Sequence, residues 1–372
     1  MQGRLKPLLQ PVKFLALGLF KHSCPGLLMR SDFINMNLTK LLLPLVSTLA
    51  ASFLSAAEIT LYSHRHYESD DALYKKFTDK TGVKVNVVKA GANELIERLK
   101  SEGKNTKADI FMTADAARLH IAKTAGVLAP VKSDVLSKRI PAHLRDKDNQ
   151  WFGFTMRARI IAYAKGRVKP SELSTYEDLA SRQWRARVLA RSSSNVYNQS
   201  LLASIIANNG RTKAKAWASA VRKNMSRPPQ GSDRDQMRTV VKGLGDVAIV
   251  NTYYVGLLAN SKDAADRKVA KSIGIFFPNQ KGRGTHVNVS GGGLVKHSDN
   301  AGDAQKFLEF LASDEAQKSF PSTTYEYPVV EGVEWSPLMK SWGKFKQDSL
   351  SLTRLGEENA AAVEVFNEAG WQ

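Results

Sequence analysis

Residues 58–113 read EITLYSHRHYESDDALYKKFTDKTGVKVNVVKAGANELIERLKSEGKNTKADIFMT, and their changing periodicity decides the fold class. Glu58–Ser63 alternates and is rich in β-formers, which predicts an opening strand. Leu73, Tyr74 and Phe77 then fall on one face of a helix over 69–81, which Gly82 ends. A second strand is predicted over 83–88. The next helix is expected to be capped by Asn93, to carry Leu95, Ile96 and Leu99 on its apolar face, and to stop at Gly103. A third strand over 108–113 leads into a helix over 114–125. Strands alternating with helices at this spacing build a parallel sheet from βαβ units.

Working outward, the style repeats. Trp151–Lys165 is β-rich and longer than one edge strand requires. Strands are predicted at 188–190, 247–251, 273–277 and 291–295, and helices at 198–208, 212–224 and 233–243. From Ala301 the pattern is mostly helical. Two α/β lobes sharing long strands is the natural assembly, and such folds bind ligands in the crevice at the carboxyl ends of their strands.

Upstream, Lys40 followed by an apolar run from Leu41 to Leu54, closing on Ser55-Ala56-Ala57, reads as a secretory signal cleaved before Glu58. A complete signal from Met36 makes residues 1–35 an upstream extension, with translation expected to start at Met36. The protein is thus expected outside the cytoplasm, in the periplasm. Cys24 is the one cysteine and precedes that start, so the expected mature chain has no disulfide, no thiolate nucleophile and no Cys-built zinc or iron–sulfur site. The formal charge of +19 falls to +14 when residues 1–57, with six Lys/Arg and one Asp, are removed. These charges are spread along the chain, which reads as a solvated surface; an acidic partner or membrane stays open, and no nucleic-acid partner is expected.

Three chemistry-bearing segments follow predicted strands: His64-Arg65-His66-Tyr67, Ser192-Ser193-Ser194-Asn195-Val196-Tyr197 and Asn251-Thr252-Tyr253-Tyr254. His66, Tyr67, Tyr197, Tyr253 and Tyr254 could converge although distant in sequence. A phenol ionises near pH 10, so tyrosine becomes an anionic ligand only beside strong positive charge. A hard trivalent cation supplies that charge, whereas calcium and magnesium recruit carboxylates and zinc favours His and Cys. Tyrosine with histidine points at Fe³⁺. Taken alone, the pattern leaves aromatic packing and a metal site as open alternatives.

The chain resembles the periplasmic ferric-binding proteins of ABC iron uptake, which have the type II periplasmic binding fold. The resemblance rests on Ile59-Thr60-Leu61-Tyr62-Ser63-x-Arg65-His66, Ala108–Thr113, Arg157-Ala158-Arg159, Asn251-Thr252-Tyr253-Tyr254, Ser290-Gly291-Gly292-Gly293 and Tyr325-Glu326-Tyr327-Pro328. It implies an α/β architecture of two lobes joined by two crossing hinge strands, near Phe154–Ile160 and near Phe276, with ferric iron in the cleft. The first lobe is expected over 58–155 plus about 275–315, and the second over 156–274 plus about 316–372. Ala114 stands where anion-using members carry a glutamate ligand, while Tyr67 and Tyr197 are added. The chain is thereby similar to the anion-independent subgroup with one histidine and four tyrosines: His66, Tyr67, Tyr197, Tyr253 and Tyr254. Four phenolates around Fe³⁺ leave one negative charge, which Arg157, Arg159 or Arg191 is expected to offset. Asn251 is expected to hold the binding loop, and Ser193, with its neighbours Ser192 and Ser194, to be a vestigial anion loop or to donate to the phenolates. His64 is expected at the rim, and Tyr62, Tyr325 and Tyr327 in packing. The resemblance also implies a monomer that hands iron, ferric with ferrous as the alternative, to an ABC permease and catalyses nothing. The alternatives are an organic-solute binder of polyamine or thiamine type, an intracellular iron-protecting protein, and an iron redox enzyme.

Overall fold

The computed structural model describes residues 57–65 and 67–372. The expected leader therefore lies outside the described residues, Ala57 excepted. Strand β1 (Glu58–Ser63) pairs in parallel with both β2 (Lys84–Lys89) and β3 (Ile110–Thr113), Leu61 lying opposite Val87 on one side and Ile110 on the other. The connecting helices Ser69–Thr81 and Ala92–Glu102 turn Leu73, Phe77, Leu95 and Leu99 into the core beside Ile59 and Leu61. Gly82 ends the first helix with a left-handed φ of 73°, its N–H donating to the Thr78 carbonyl at 2.8 Å, as a C-terminal glycine does. The second helix departs from expectation. It starts at Ala92 on an extended Gly91, and no side chain caps it, so Asn93 sits exposed inside its first turn.

The remaining strands are β4 (Leu128–Ala129), β5 (Phe152–Ala164), β6 (Val188–Leu189), β7 (Val247–Asn251), β8 (Ile273–Phe276), β9 (Val287–Val295) and β10 (Tyr327–Pro328). Their path runs β2-β1-β3-β9-β5-β7-β6. Strand β5 explains the overlong β-rich stretch. Its first half pairs antiparallel with β9, placing Met156 opposite Val289, and its second half pairs with β7 and β8, placing Ile161 opposite Ile249 and Phe276. The partner changes between Ala158 and Arg159. Apart from half-buried Tyr163 every residue of β5 is buried, as expected for a strand covered on both faces.

Strand β9 begins four residues earlier than its glycines suggest, at Val287, because Asn288 and Ser290 are buried and hydrogen-bonded instead of marking a loop. A Cβ at Gly291 would lie 2.2 Å from the Phe152 carbonyl oxygen, and one at Gly293 2.2 Å from that of Gln150. Only glycine lets β9 press this closely between β3 and β5. The C-terminal region is helical over Ala301–Leu311, Asp314–Thr323, Pro337–Ser341, Thr353–Glu357 and Asn359–Glu368. Strand β10 interrupts it and pairs with Thr155 and Met156 in the first half of β5. Helix Thr353–Glu357 packs against both Ala116–Thr124 and Val196–Asn209.

Candidate metal centre

Each of the three flagged segments follows the end of a strand. After β1 the chain passes through His64 and Arg65 to Tyr67; His66 lies outside the described residues. Arg65 is buried and organises this loop. Its Nε and Nη2 donate to the two Asp70 carboxylate oxygens at 2.9 and 3.0 Å, and its Nη1 to Glu326 at 3.2 Å. The same guanidinium stacks 4.8 Å from the Tyr67 ring centroid, while the Tyr67 hydroxyl donates to Glu326 Oε1 at 3.4 Å.

Glu326 went unrecognised at the sequence level. It is fully buried, and it also accepts from Thr155 Oγ1 of β5 at 2.7 Å and Ser290 Oγ of β9 at 3.2 Å. Tyr325 before it takes a left-handed φ of 58°, uncommon for an aromatic residue, and its ring rests where a Cβ on Gly256 would come within 2.3 Å. A carboxylate flanked by two tyrosines and followed by proline was the available signal.

Tyr253 and Tyr254 open helix Thr252–Ala259 directly after β7. Tyr197 lies in the first turn of Val196–Asn209, after the serine loop. The structure brings four of the five candidates together: the Tyr253 hydroxyl donates to the Tyr197 hydroxyl at 3.2 Å, the Tyr253 and Tyr254 rings are 4.1 Å apart, and Tyr67 meets Tyr253 edge-on at 5.9 Å. Tyr197 is ringed by guanidiniums, those of Arg157, Arg191 and Arg159 lying 5.4, 5.8 and 6.0 Å from its centroid. A cleft of about 440 Å³ opens beside Tyr197 and Tyr254, lined also by His64, Arg191, Ser192 and Ser194.

Arg159 is held by Asp233 at 2.6 Å, Asn198 Oδ1 at 2.7 Å and Asn251 Oδ1 at 3.1 Å, and the Asn251 N–H donates to Asp233 at 2.7 Å. Asn251 therefore ties the end of β7 to this network. Asp233 was hidden by its place at the start of an ordinary capped helix. Arg157 donates to Ser290 Oγ at 3.3 Å and to the Ala114 carbonyl, the backbone of the residue standing where a glutamate was looked for. Ser193 accepts from Gln199 Nε2 at 2.9 Å through its carbonyl, and so braces the serine loop.

Burial drives the electrostatics. It pushes the Tyr67 phenol well above its ordinary range, with Glu326 adding to it, and does the same to Tyr253, where Tyr197 is the next cause. Tyr254 is raised by burial, then by Tyr197 and Asp233. Burial alone would lower Arg191, but Asp233 and the neighbouring phenols outweigh it and hold the guanidinium more firmly charged. Without a cation these phenols keep their protons; beside one, they are hard anionic oxygens in a guanidinium-lined pocket. Among the described residues no group of three or more His, Cys, Asp or Glu side chains could hold a metal ion, so a metal here relies on phenol oxygen.

A sheet-crossing strand, a cleft at strand ends and a converging set of oxygen donors define a solute-binding protein. The chain belongs to the bacterial extracellular solute-binding protein family, whose model matches residues 72–347. It is 51% identical over 315 residues to Iron uptake protein A1 of Synechocystis sp., covering 85% of this chain and 88% of that one. Among solved structures it is similar to a Trichodesmium protein described as IdiA or FutA in complex with iron and citrate ligands, at 50% identity and a TM-score of 0.82, covering 85% of this chain and 100% of that one. It is also similar to a ferric binding protein from Campylobacter jejuni, at 48% identity and a TM-score of 0.81, covering 84% and 100% of the two chains. The fold is the type II periplasmic binding fold.

Proposed function

We propose that this chain captures ferric iron in the cleft between its two lobes and delivers it to an ABC transporter permease. The observation that carries the reading is the contact of Tyr67, Tyr197, Tyr253 and Tyr254 in one buried cluster. With His66 they form the proposed ligand set, and iron is the cargo. The names of the relatives agree in kind: iron uptake in one, bound iron in another, ferric binding in a third.

The lobe boundary is placed where β5 changes partners, between Ala158 and Arg159, and where the chain returns between β8 and β9. Tyr67 then comes from the first lobe and Tyr197, Tyr253 and Tyr254 from the second, so closure and capture are coupled. Because β10 pairs with the first half of β5, residues around 316–330 are assigned to the first lobe, and the tail beyond to the second. We place the second lobe's start at 159 instead of 156 on the strength of this change of strand partner. Export through the leader, a periplasmic site and a monomeric state complete the proposal. Among the described residues no helix is long and apolar enough to cross a membrane.

An organic-cation binder would present free carboxylates to its cleft. Here Glu326 and Asp233 are each engaged by a buried guanidinium, which favours the metal reading. The test is a visible absorption spectrum of the full chain after Fe³⁺ loading, beside a Tyr253→Phe, Tyr254→Phe double variant. An orange-red phenolate-to-iron band that the variant loses supports the reading. A colourless chain that retains no iron overturns it.

A further inference from the structure

Part of the chain's positive surplus lies away from the tyrosine cluster, around a second cavity. This cavity, about 410 Å³, lies between the end of β5, β8 and helices Thr252–Ala259, Ala264–Ser272 and Pro337–Ser341. Its volume is within the range of small-molecule sites, roughly 300–1,000 Å³. Tyr163, Val255, Ile273, Ile275, Leu338 and Trp342 supply the apolar part of its surface. A Cβ on Gly274 would strike the Tyr163 ring at 2.0 Å, so glycine is what allows that ring to lie over β8.

The rim is cationic. Lys165, Arg267 and Lys271 line the cavity, and among the described residues none of the three forms an ion pair. Arg267 Nη1 donates to the carbonyls of Ser261 and Lys262 at 2.7 and 2.8 Å, and Lys165 Nζ to that of Lys271 at 3.0 Å. Main-chain carbonyls thus hold Arg267 and Lys165 in place without neutralising them. The nearby acids are occupied elsewhere. Asp266 pairs with Arg238 at 2.8 Å, and Asp263 caps its own helix through the Ala265 N–H at 2.8 Å.

We propose that this cavity binds a free amphipathic carboxylate, an organic acid whose apolar body lies on Tyr163, Leu338 and Trp342 and whose charge meets Arg267, Lys271 and Lys165. Lys165, Arg267 and Lys271 are exposed at the rim, where a carboxylate gains charge-assisted hydrogen bonds that a neutral amphiphile cannot make, and an inorganic anion leaves the apolar surface uncovered. The proposal is independent of the iron reading, since no tyrosine of the cluster lines this cavity.

The test is calorimetric titration of the full chain with dodecanoate below its micellar range. Dodecanol, inorganic phosphate and vesicles of phosphatidylglycerol are the comparison probes. Expected are one dodecanoate per chain and quenching of Trp342 fluorescence, lost in Trp342→Phe. An Arg267→Glu, Lys271→Glu double variant should bind at least about tenfold more weakly. The same reversals at Lys104 and Lys147, both exposed and outside the lining, should change nothing. Absence of dodecanoate binding overturns the proposal. So does equal binding of dodecanol, binding of phosphate alone, binding only to vesicles, or equal loss in the control reversals.

Discussion

On the proposed ligand set, iron must displace protons to bind, and the structure sets how many. Tyr67, Tyr253 and Tyr254 are all raised above the ordinary phenol range of about 10, chiefly by burial. Forming each phenolate at pH 7 therefore costs at least about 4 kcal/mol, three pH units at about 1.4 kcal/mol each. Four phenolates form when Fe³⁺ binds through Tyr67, Tyr197, Tyr253 and Tyr254, so four protons leave and the apparent affinity should fall about 10⁴-fold for each unit of acidification, roughly 5.5 kcal/mol. The unloaded chain behaves oppositely at high pH. Its raised phenols favour the neutral form, so their contribution to folding is intact below about pH 10 and is lost as pH rises through the folded-state values. The assay is competition of the iron-loaded chain against citrate, followed by the visible band between about pH 6.5 and 9. Tyr67→Phe serves as the paired variant. Its logarithmic slope should be smaller by one, a difference that cancels the proton uptake of citrate itself. Equal slopes for the two proteins, or a wild-type slope of one or less, would refute the reasoning.

The buried ion pairs make two further predictions. Asp233→Asn leaves Arg159 buried without a counter-charge and should cost roughly 3–5 kcal/mol in urea unfolding of the unloaded chain; a loss below about 1 kcal/mol would contradict the network. Glu326→Gln removes the charge facing Arg65 and weakens the anchor of Tyr67, costing roughly 1–3 kcal/mol in stability and speeding iron loss to a competing chelator. An unchanged rate of iron loss would separate Glu326 from Tyr67.

Local patterns carried most of the fold. The βαβαβ start is legible because strand and helix periods differ and each apolar face is answered within a few dozen residues. Its first helix is Ser69–Thr81, matching the expected bounds, and β7 is Val247–Asn251, likewise. The misreadings have local causes too. Residue type alone makes Asn93 a cap, yet Gly91 already supplies the extended turn into the helix. Asn288 and Ser290 concealed the first half of β9 because strand residues that bond Asp115 and Glu326 look like loop residues in one dimension. The same limit governs the site. Tyr67, Tyr197, Tyr253 and Tyr254 were visible because strand ends point loops into a crevice. Glu326 and Asp233 were not, since their meaning comes from Arg65, 261 positions away, and Arg159, 74 positions away. A carboxylate shows in sequence; the guanidinium that keeps it buried does not.

Charge counting then unites the separate networks around the tyrosines. Counting buried and half-buried groups, Arg65, Arg157, Arg159 and Arg191 bring four positive charges to the cluster and Asp70, Glu326 and Asp233 three negative ones; exposed Arg234, 5.7 Å from the Tyr254 ring centroid, adds a solvated charge. The buried and half-buried surroundings of the phenols therefore carry one net positive charge. Fe³⁺ with four phenolates carries one net negative charge, and a neutral His66 adds none. On the proposed ligand set the buried charges of the loaded centre would balance, which a low-dielectric pocket requires far more strictly than water does. The unmatched cation can also be named. Arg65 has Asp70 and Glu326, while Arg159 and Arg191 share Asp233; among the described residues Arg157 is bonded only to Ser290 and the Ala114 carbonyl, with its guanidinium over Tyr197. A glutamate at position 114 would bring a carboxylate to the residue that now gives Arg157 only a carbonyl, cancelling the charge that balances the fourth phenolate. On the proposed ligand set, alanine at 114 and tyrosine at 197 would be two parts of one electrostatic solution.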